Sequence, residues 1–333
     1  MLSTLYAAAA RRRRERHARV PELRRRLRNP VVSIGNLALG GRGKTPMAAY
    51  VARLLLDRGE RPAILSRGYA RERPDEGVVI VRDAMRIRAD LSRSGDEPLM
   101  LARQLPGACV LVCEDRYLAG CIAEHHLGAT VHVLDDGLQH LQLDRDLDVV
   151  LVGREDIVRP VTLPAGRLRE PLDTLVVADA IVVEEGVVIE TAGLAAPVFT
   201  MKRQLGAPIF PDGSTDRIGH SHQLKGFAFA GVAQPAEFFR LLRASSVEIA
   251  GTRAFRDHHA YSPRDVQEVV SAARSTGAAV LVTTEKDYVR LLRFRPFPVP
   301  LGFAPLTIQP EPHAEFAAWL AAGLGAVRDS PGD

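Results

Sequence analysis

Cysteine is scarce in this chain: its 333 residues include three, Cys109, Cys113 and Cys121. No second ligand pair follows at a zinc-binding separation, so the common structural zinc patterns are excluded. The first two lie in the apolar run ACVLVCED, which reads as a buried strand with reduced thiols, the usual state in a cytosolic protein. No apolar run approaches the ~18 residues of a membrane-crossing helix. The start, MLSTLYAAAARRRR, sets its apolar stretch before its charges, the reverse of a secretory signal, so a cytosolic protein is expected. Internal repeats are absent too. No aromatic cluster interleaves the arginines of the N-terminal segment, as a base-stacking surface would need, so nucleic acid is not the expected partner.

What is present is unevenly placed. Residues 11–28 hold ten arginines against Glu15 and Glu22, a net charge of +8 in a chain whose total is +4, so the remainder is net negative. Such a basic arm seeks an anionic surface. Leu2, Leu5 and Ala9 fall on one face of a short helix, which leaves two readings open: an anchor lying on a membrane, or a solvated, frayed arm.

From residue 31 onward, apolar runs alternate with helical patterns. Strands are predicted at VVSIGN (31–36), RPAILSRG (61–68), VVIVRD (78–83), ACVLVCED (108–115), TVHVLDDG (130–137), LDVVLVG (147–153) and DAIVVEEG (179–186). Helices are predicted at 44–56, 95–105 and 116–128. Continuous Val/Ile/Leu runs are the mark of strands buried on both faces, hence a mostly parallel α/β sheet covered by helices. The stretch with Gly206, Pro208, Pro211, Gly213 and Gly219 breaks the pattern. A second, smaller α/β domain is predicted beyond it, with strands at 226–231, 246–252 and 278–284, helices at 235–244 and 263–277, and a last helix from Glu311 to about Leu324. The expected division is a basic arm at 1–28, a P-loop-type domain at 29–205 and the smaller domain, with a hinge, at 206–333.

Gly40, Gly41, Arg42, Gly43, Lys44 and Thr45 stand between a buried strand and a helix, where a phosphate-binding loop belongs. Glycines let backbone N–H groups turn inward around phosphate oxygens, and the helix start adds favourable partial charge. Lys44 would reach the β- and γ-phosphates of ATP, and the Thr45 hydroxyl would ligate Mg2+. The usual spacing puts the first glycine at position 38, which is Ala38 here. Downstream, the strand TVHVL ends on Asp135 and Asp136, paired carboxylates that a cation would offset, with Gln139 and His140 within one turn. Asp96 and Glu97 open a helix after Gly95, and the spacing alone supports a cap. Likewise Arg256-Asp257-His258-His259 reads on spacing alone as polar loop.

In order, VVSIGNLALGGRGKTP, LSRGYAR, SGDEPLMLA, VLDDGLQH, LPAGRLREP, FAGVAQPAEFF, DHHAYS and LVTTEKDYVRL resemble the tetraacyldisaccharide 4'-kinase family, over about residues 31–292. The resemblance implies ATP-dependent phosphorylation of the 4'-hydroxyl of an acylated disaccharide phosphate lipid, at the cytoplasmic face of an inner membrane, with magnesium. It implies two α/β/α domains with the active site between them. It assigns Asp96 and His258 to a general-base pair. Asp135, Asp136 and Glu97 go to metal and phosphates, and Arg67, Arg169, Gln139, His140 and Glu170 to substrate binding. Three departures stand out: a short, Arg-rich arm in place of a longer apolar helix, Arg42 where a small residue is common, and Leu138 where an aromatic is usual. Two rivals remain at this point, a P-loop kinase of another sugar or lipid hydroxyl and a nucleotide-dependent nucleic-acid-binding protein.

Overall fold

The computed structural model describes residues 1–69, 71–73, 77–211, 225–244 and 247–329. Ala70 of the LSRGYAR segment, Gly213 and Gly219 of the expected boundary and Ser246 of an expected strand lie outside them. The chain forms two compact units, Met1–Lys202 together with Ile308–Asp333, and Arg203–Thr307.

The first unit is organised by a nine-stranded sheet. Its strands are β1 (Val31–Asn36), β2 (Pro62–Ser66), β3 (Val79–Arg82), β4 (Cys109–Val112), β5 (Val131–Asp135), β6 (Leu147–Val152), β7 (Ala180–Glu184), β8 (Val198–Leu205) and β13 (Leu306–Glu311). Their order is β13-β8-β7-β6-β1-β5-β2-β4-β3. From β8 to β4 every pairing is parallel, and β3 closes one edge antiparallel to β4. The strand cores are continuous apolar runs because both faces are covered. Helix α5 (Arg116–Leu127) packs through Ala119 and Ala123 on the face that carries Val31, Ala63, Leu65, Cys109 and Leu111. The alternate residues Ile64, Val110 and Val133 are as deeply buried, and α2 (Lys44–Asp57) lies against β1, β2 and β5. Burying one such side chain contributes roughly 1.5–3 kcal/mol. Strand β1 sits between β5 and β6, where the strand order reverses, and that crevice at the carboxyl ends is where open α/β sheets bind ligands.

The second unit has a four-stranded parallel sheet in the order β10-β9-β11-β12: β9 (Lys225–Ala230), β10 (Glu248–Ala254), β11 (Val280–Thr284) and β12 (Leu301–Ala304). Its helices are α7 (Pro235–Arg243), α8 (Pro263–Ser275) and α9 (Glu285–Leu291). Helix α8 opens with a capping box, Ser262 accepting from the Asp265 N–H while Asp265 accepts from that of Ser262.

The domain expectation needs two corrections. Residues 308–333 belong to the first unit, not to the smaller one. Ile308 on β13 is buried, and α10 (His313–Asp329) buries Phe316 and Leu320, with Phe316 ring-stacked edge-on to Phe199 of β8. Nor is 1–28 a separate arm, since it belongs to the first unit as well. Residues Leu2–Arg19 form one helix, α1, with Ala7 buried, and Leu27 joins the core beneath α5. Arg24 and Arg26 bond Asp144, and Arg26 also bonds Asp146, so part of the basic charge is met within the fold.

Candidate active site

Everything around the glycine-rich loop hangs on the carboxyl end of β1. Gly35 approaches the turn after β5 so closely that a Cβ there would lie 2.3 Å from Leu138 Cβ. Leu138, where an aromatic was expected, is fully buried. Ala38 is fully buried as well and bridges Leu168, while Leu39 N donates to Arg167 O at 2.8 Å. The first half of the loop is thus pinned by the segment before Arg169, and a methyl group sits where the usual spacing has glycine. Gly43, at φ 87, makes the left-handed step into α2 that other residues resist.

Lys44 Nζ donates to Asn36 Oδ1 at 2.9 Å and lies 3.5 Å from Asp136 Oδ1. Burial pulls its ammonium below the usual range, and Asp136 works against that. The Thr45 hydroxyl donates to Asp135 at 3.2 Å. Asp135 ends β5 buried, and desolvation, with Glu97 and Asp136 nearby, pushes its carboxyl up to about 7. Asp136 adopts φ 58. Burial alone would raise its carboxyl, but hydrogen bonds from Arg169 at 2.8 and 3.1 Å and the Lys44 charge hold it below the usual range. Arg169 also donates to Asn36 Oδ1 at 2.6 Å. Lys44, Thr45, Asp135, Asp136 and Arg169 therefore form one cluster, with Glu97 within electrostatic reach.

Among the described residues no group of three or more His, Cys, Asp or Glu side chains is arranged to hold a metal. Mg2+ bound with a nucleotide needs only one or two protein ligands, the rest being phosphate and water. A threonine hydroxyl beside a desolvated carboxylate fits that demand.

Other expected residues divide. After the one-turn helix α3 (Leu91–Ser94), Asp96 is buried at the start of α4 (Asp96–Gln104), where its carboxylate accepts from Glu97 N at 2.8 Å. Gln139 donates to Asn36 O and to Glu170, which is buried beside it. The His140 ring is half-buried, and burial, with Arg116 and Arg145 near, lowers it to about 4. Arg67 is mostly exposed, 3.7 Å from an exposed Glu114. Arg42 is buried and donates to Asp156 at 2.8 Å and Glu155 at 3.3 Å, both on the helix α6 (Arg154–Val158). In the second unit, Lys286 Nζ lies 3.1 Å from His258 Nε2, and since an ammonium only donates, that nitrogen accepts. His259 stacks on Phe255 and lies 3.2 Å from Asp265.

Three residues escaped the sequence reading. Asn36 gathers Lys44 and Arg169, and its signal was a polar residue ending an apolar strand just before the loop. Arg116 is buried at the start of α5; burial lowers its guanidinium, as does Arg67, and Asp136 and Asp135 oppose them. Asp156 has no local signal for its pairing with Arg42.

The family described as tetraacyldisaccharide-1-P 4'-kinase matches residues 1–324. This chain belongs to that family. Its relatives include the tetraacyldisaccharide 4'-kinase of Geobacter metallireducens, 39% identical over 87% of each chain. That of Geobacter sulfurreducens is 40% identical over 87% of this chain and 82% of its own. Among solved structures, LpxK from Aquifex aeolicus, crystallised in its "apo" form in complex with ATP, superposes with a TM-score of 0.78 at 28% identity, covering 97% of both chains. The family is thus a kinase family acting on a hydroxyl, and the α/β fold is that of a P-loop kinase. The match takes in α1 and the Arg-rich segment.

Proposed function

We propose that this chain transfers the γ-phosphate of ATP to the 4'-hydroxyl of a tetraacyldisaccharide 1-phosphate in lipid A biosynthesis. The observation that carries the reading is the cluster at the start of α2, where Lys44 and Thr45 lie against Asn36, Asp135 and Asp136. In its nucleotide complex Lys44 exchanges these contacts for β- and γ-phosphate oxygens, with residues 40–43 offering backbone N–H groups. Thr45 and Asp135 are the residues that would hold Mg2+, with Asp136 and Glu97 completing the charge around it; a bound ion would supply neutralisation of charge on the phosphate oxygens. Arg169 keeps Asp136 oriented and, with Arg67, Gln139, His140 and Glu170, forms the proposed acceptor-side set. Asp96 and His258 are proposed to take the proton of the attacking alcohol. Catalysis is then mostly positioning and charge neutralisation.

The proposed location is the cytoplasmic face of the inner membrane. Among the described residues no helix is long and apolar enough to cross a membrane. Helix α1 exposes Leu2 and Leu5 ahead of its arginines, which suits peripheral attachment. ATP turnover measured with and without the disaccharide 1-phosphate in detergent, and with DNA or RNA in its place, tests the assignment. Turnover should depend on the glycolipid; stimulation by nucleic acid alone would overturn it.

A further inference from the structure

Helix α1 reaches the phosphate cluster chiefly through one largely buried side chain, Arg14. Arg14 donates from Nε and Nη2 to the two carboxylate oxygens of Glu170, both at 2.7 Å, and from Nη2 to Leu138 O at 3.0 Å. The side chains of this pair are 14% and 7% exposed, whereas the neighbouring Arg11–Asp173 pair is 48% and 59% exposed. A two-pronged guanidinium–carboxylate pair out of water is directional and strong.

What Glu170 does next gives the pair its meaning. Gln139 Nε2 donates to Glu170 Oε1 at 3.1 Å and to Asn36 O at 3.0 Å. Asn36 Oδ1 receives both Lys44 and Arg169, and Arg169 fixes Asp136. Glu170 directly follows Arg169, and the backbone N–H groups of both point to Leu37 O. Glu170 is thus linked to Arg169 through Gln139 and Asn36 O, which accepts from Gln139 Nε2 at 3.0 Å and from Arg169 Nη2 at 3.3 Å. With Arg14 on Glu170, Arg169 is left to Asp136 and Asn36. Without Arg14, Glu170 is a buried charge left with Gln139 alone among these partners, and a buried charge that loses its partner redistributes its surroundings, here along the Gln139–Asn36 link to Arg169 and Lys44, at considerable cost.

We infer that Arg14 is a positioning residue of the ATP site: by satisfying Glu170 it keeps Arg169 on Asp136 and Gln139 on Asn36, and so holds Lys44 where the phosphates bind. The helix that carries the basic segment thus serves nucleotide binding independently of any lipid surface. This rests on the proposed binding of ATP at residues 40–45, and loss of wild-type ATP affinity in Lys44→Ala checks that premise separately.

The test is equilibrium ATP–Mg2+ binding to the full-length chain with no acceptor and no membrane. Arg14→Ala should weaken ATP binding about tenfold. The double variant Arg14→Ala/Glu170→Gln, which removes both charges but keeps an acceptor for Gln139, should regain most of it. Arg14→Lys should lie nearer wild type than Arg14→Ala, and Arg11→Ala should bind as wild type does. A role confined to anchoring the helix would leave the double variant as weak as the single one. That result, or unchanged affinity in Arg14→Ala, overturns the inference. If Arg14→Ala does not fold, the double variant decides alone: a folded double variant with wild-type-like affinity supports the inference, and a weak or unfolded one refutes it.

Discussion

The Arg42 guanidinium is not turned into the phosphate loop; it donates to Asp156 at 2.8 Å, and the two side chains are 4% and 2% exposed. A Cβ on Gly153 would lie within 3 Å of that guanidinium, so the arginine occupies space that only glycine leaves open. Position 42 thereby ties the loop to α6. Replacing Arg42 by Ser should lower unfolding free energy by roughly 3 kcal/mol, since it leaves Asp156 buried and unpaired. The KM for ATP should change only a few-fold. Denaturant titration and steady-state kinetics on the same preparation check both. A large rise in KM at unchanged stability would mean that Arg42 contacts phosphate.

Lys44→Ala and Thr45→Ala should each reduce kcat/KM by on the order of 10²- to 10³-fold, as removal of one preorganised charge-stabilising group does elsewhere. Asp135→Asn should behave similarly and recover in part at high Mg2+. Magnesium titrations of the three variants check this; insensitivity of Asp135→Asn to the ion would take Asp135 out of the metal site.

His140 gives a pH prediction with a definite sign. Its pKa is lowered from the ordinary value of 6.5 to about 4 by burial first, then by Arg116 and Arg145. Between those values the unfolded chain binds a proton that the folded chain refuses, so stability present above pH 6.5 is lost as pH falls towards 4. The limit is about 1.4 kcal/mol per pH unit, reduced by the ring's partial exposure. His140→Gln should therefore lose less stability than wild type between pH 7 and pH 5. Equal losses would show that this ring does not titrate on unfolding.

Much of this was legible in the sequence for a physical reason. The central strands are unbroken Val/Ile/Leu runs, which few other environments tolerate, and the Gly-Lys-Thr loop between a buried strand and a helix leaves few alternatives. Strand β8 was missed because VFTMKRQL buries only alternate residues such as Phe199 and Met201 and carries charges between. The return of 308–333 to the first unit is a long-range pairing that no local pattern announces. The same holds for side-chain partners: nothing near Arg14 points to Glu170, and nothing near Arg42 points to Asp156. Helix α1 looked like an arm because ten arginines in residues 11–28 outweigh one buried alanine in any composition count.

For the proton acceptor, Asp96→Ala and His258→Ala should each reduce kcat roughly 10²- to 10⁴-fold with little change in ATP affinity. The double variant should be scarcely worse, since residues that act as a unit are non-additive. His259→Ala should act on stability more than on kcat, because its ring stacks on Phe255 at 4.7 Å. A larger kcat loss for His259 than for His258 would reverse the assignment.

The most direct test of the central claim is phosphate transfer itself. The purified chain is incubated with γ-labelled ATP, Mg2+ and the tetraacyldisaccharide 1-phosphate in detergent, beside Lys44→Ala, and the lipid product is analysed for label and phosphate position. The expected result is one labelled phosphate at the 4'-position with wild type and almost none with Lys44→Ala. Release of label as inorganic phosphate with no labelled lipid, or equal transfer by Lys44→Ala, contradicts it.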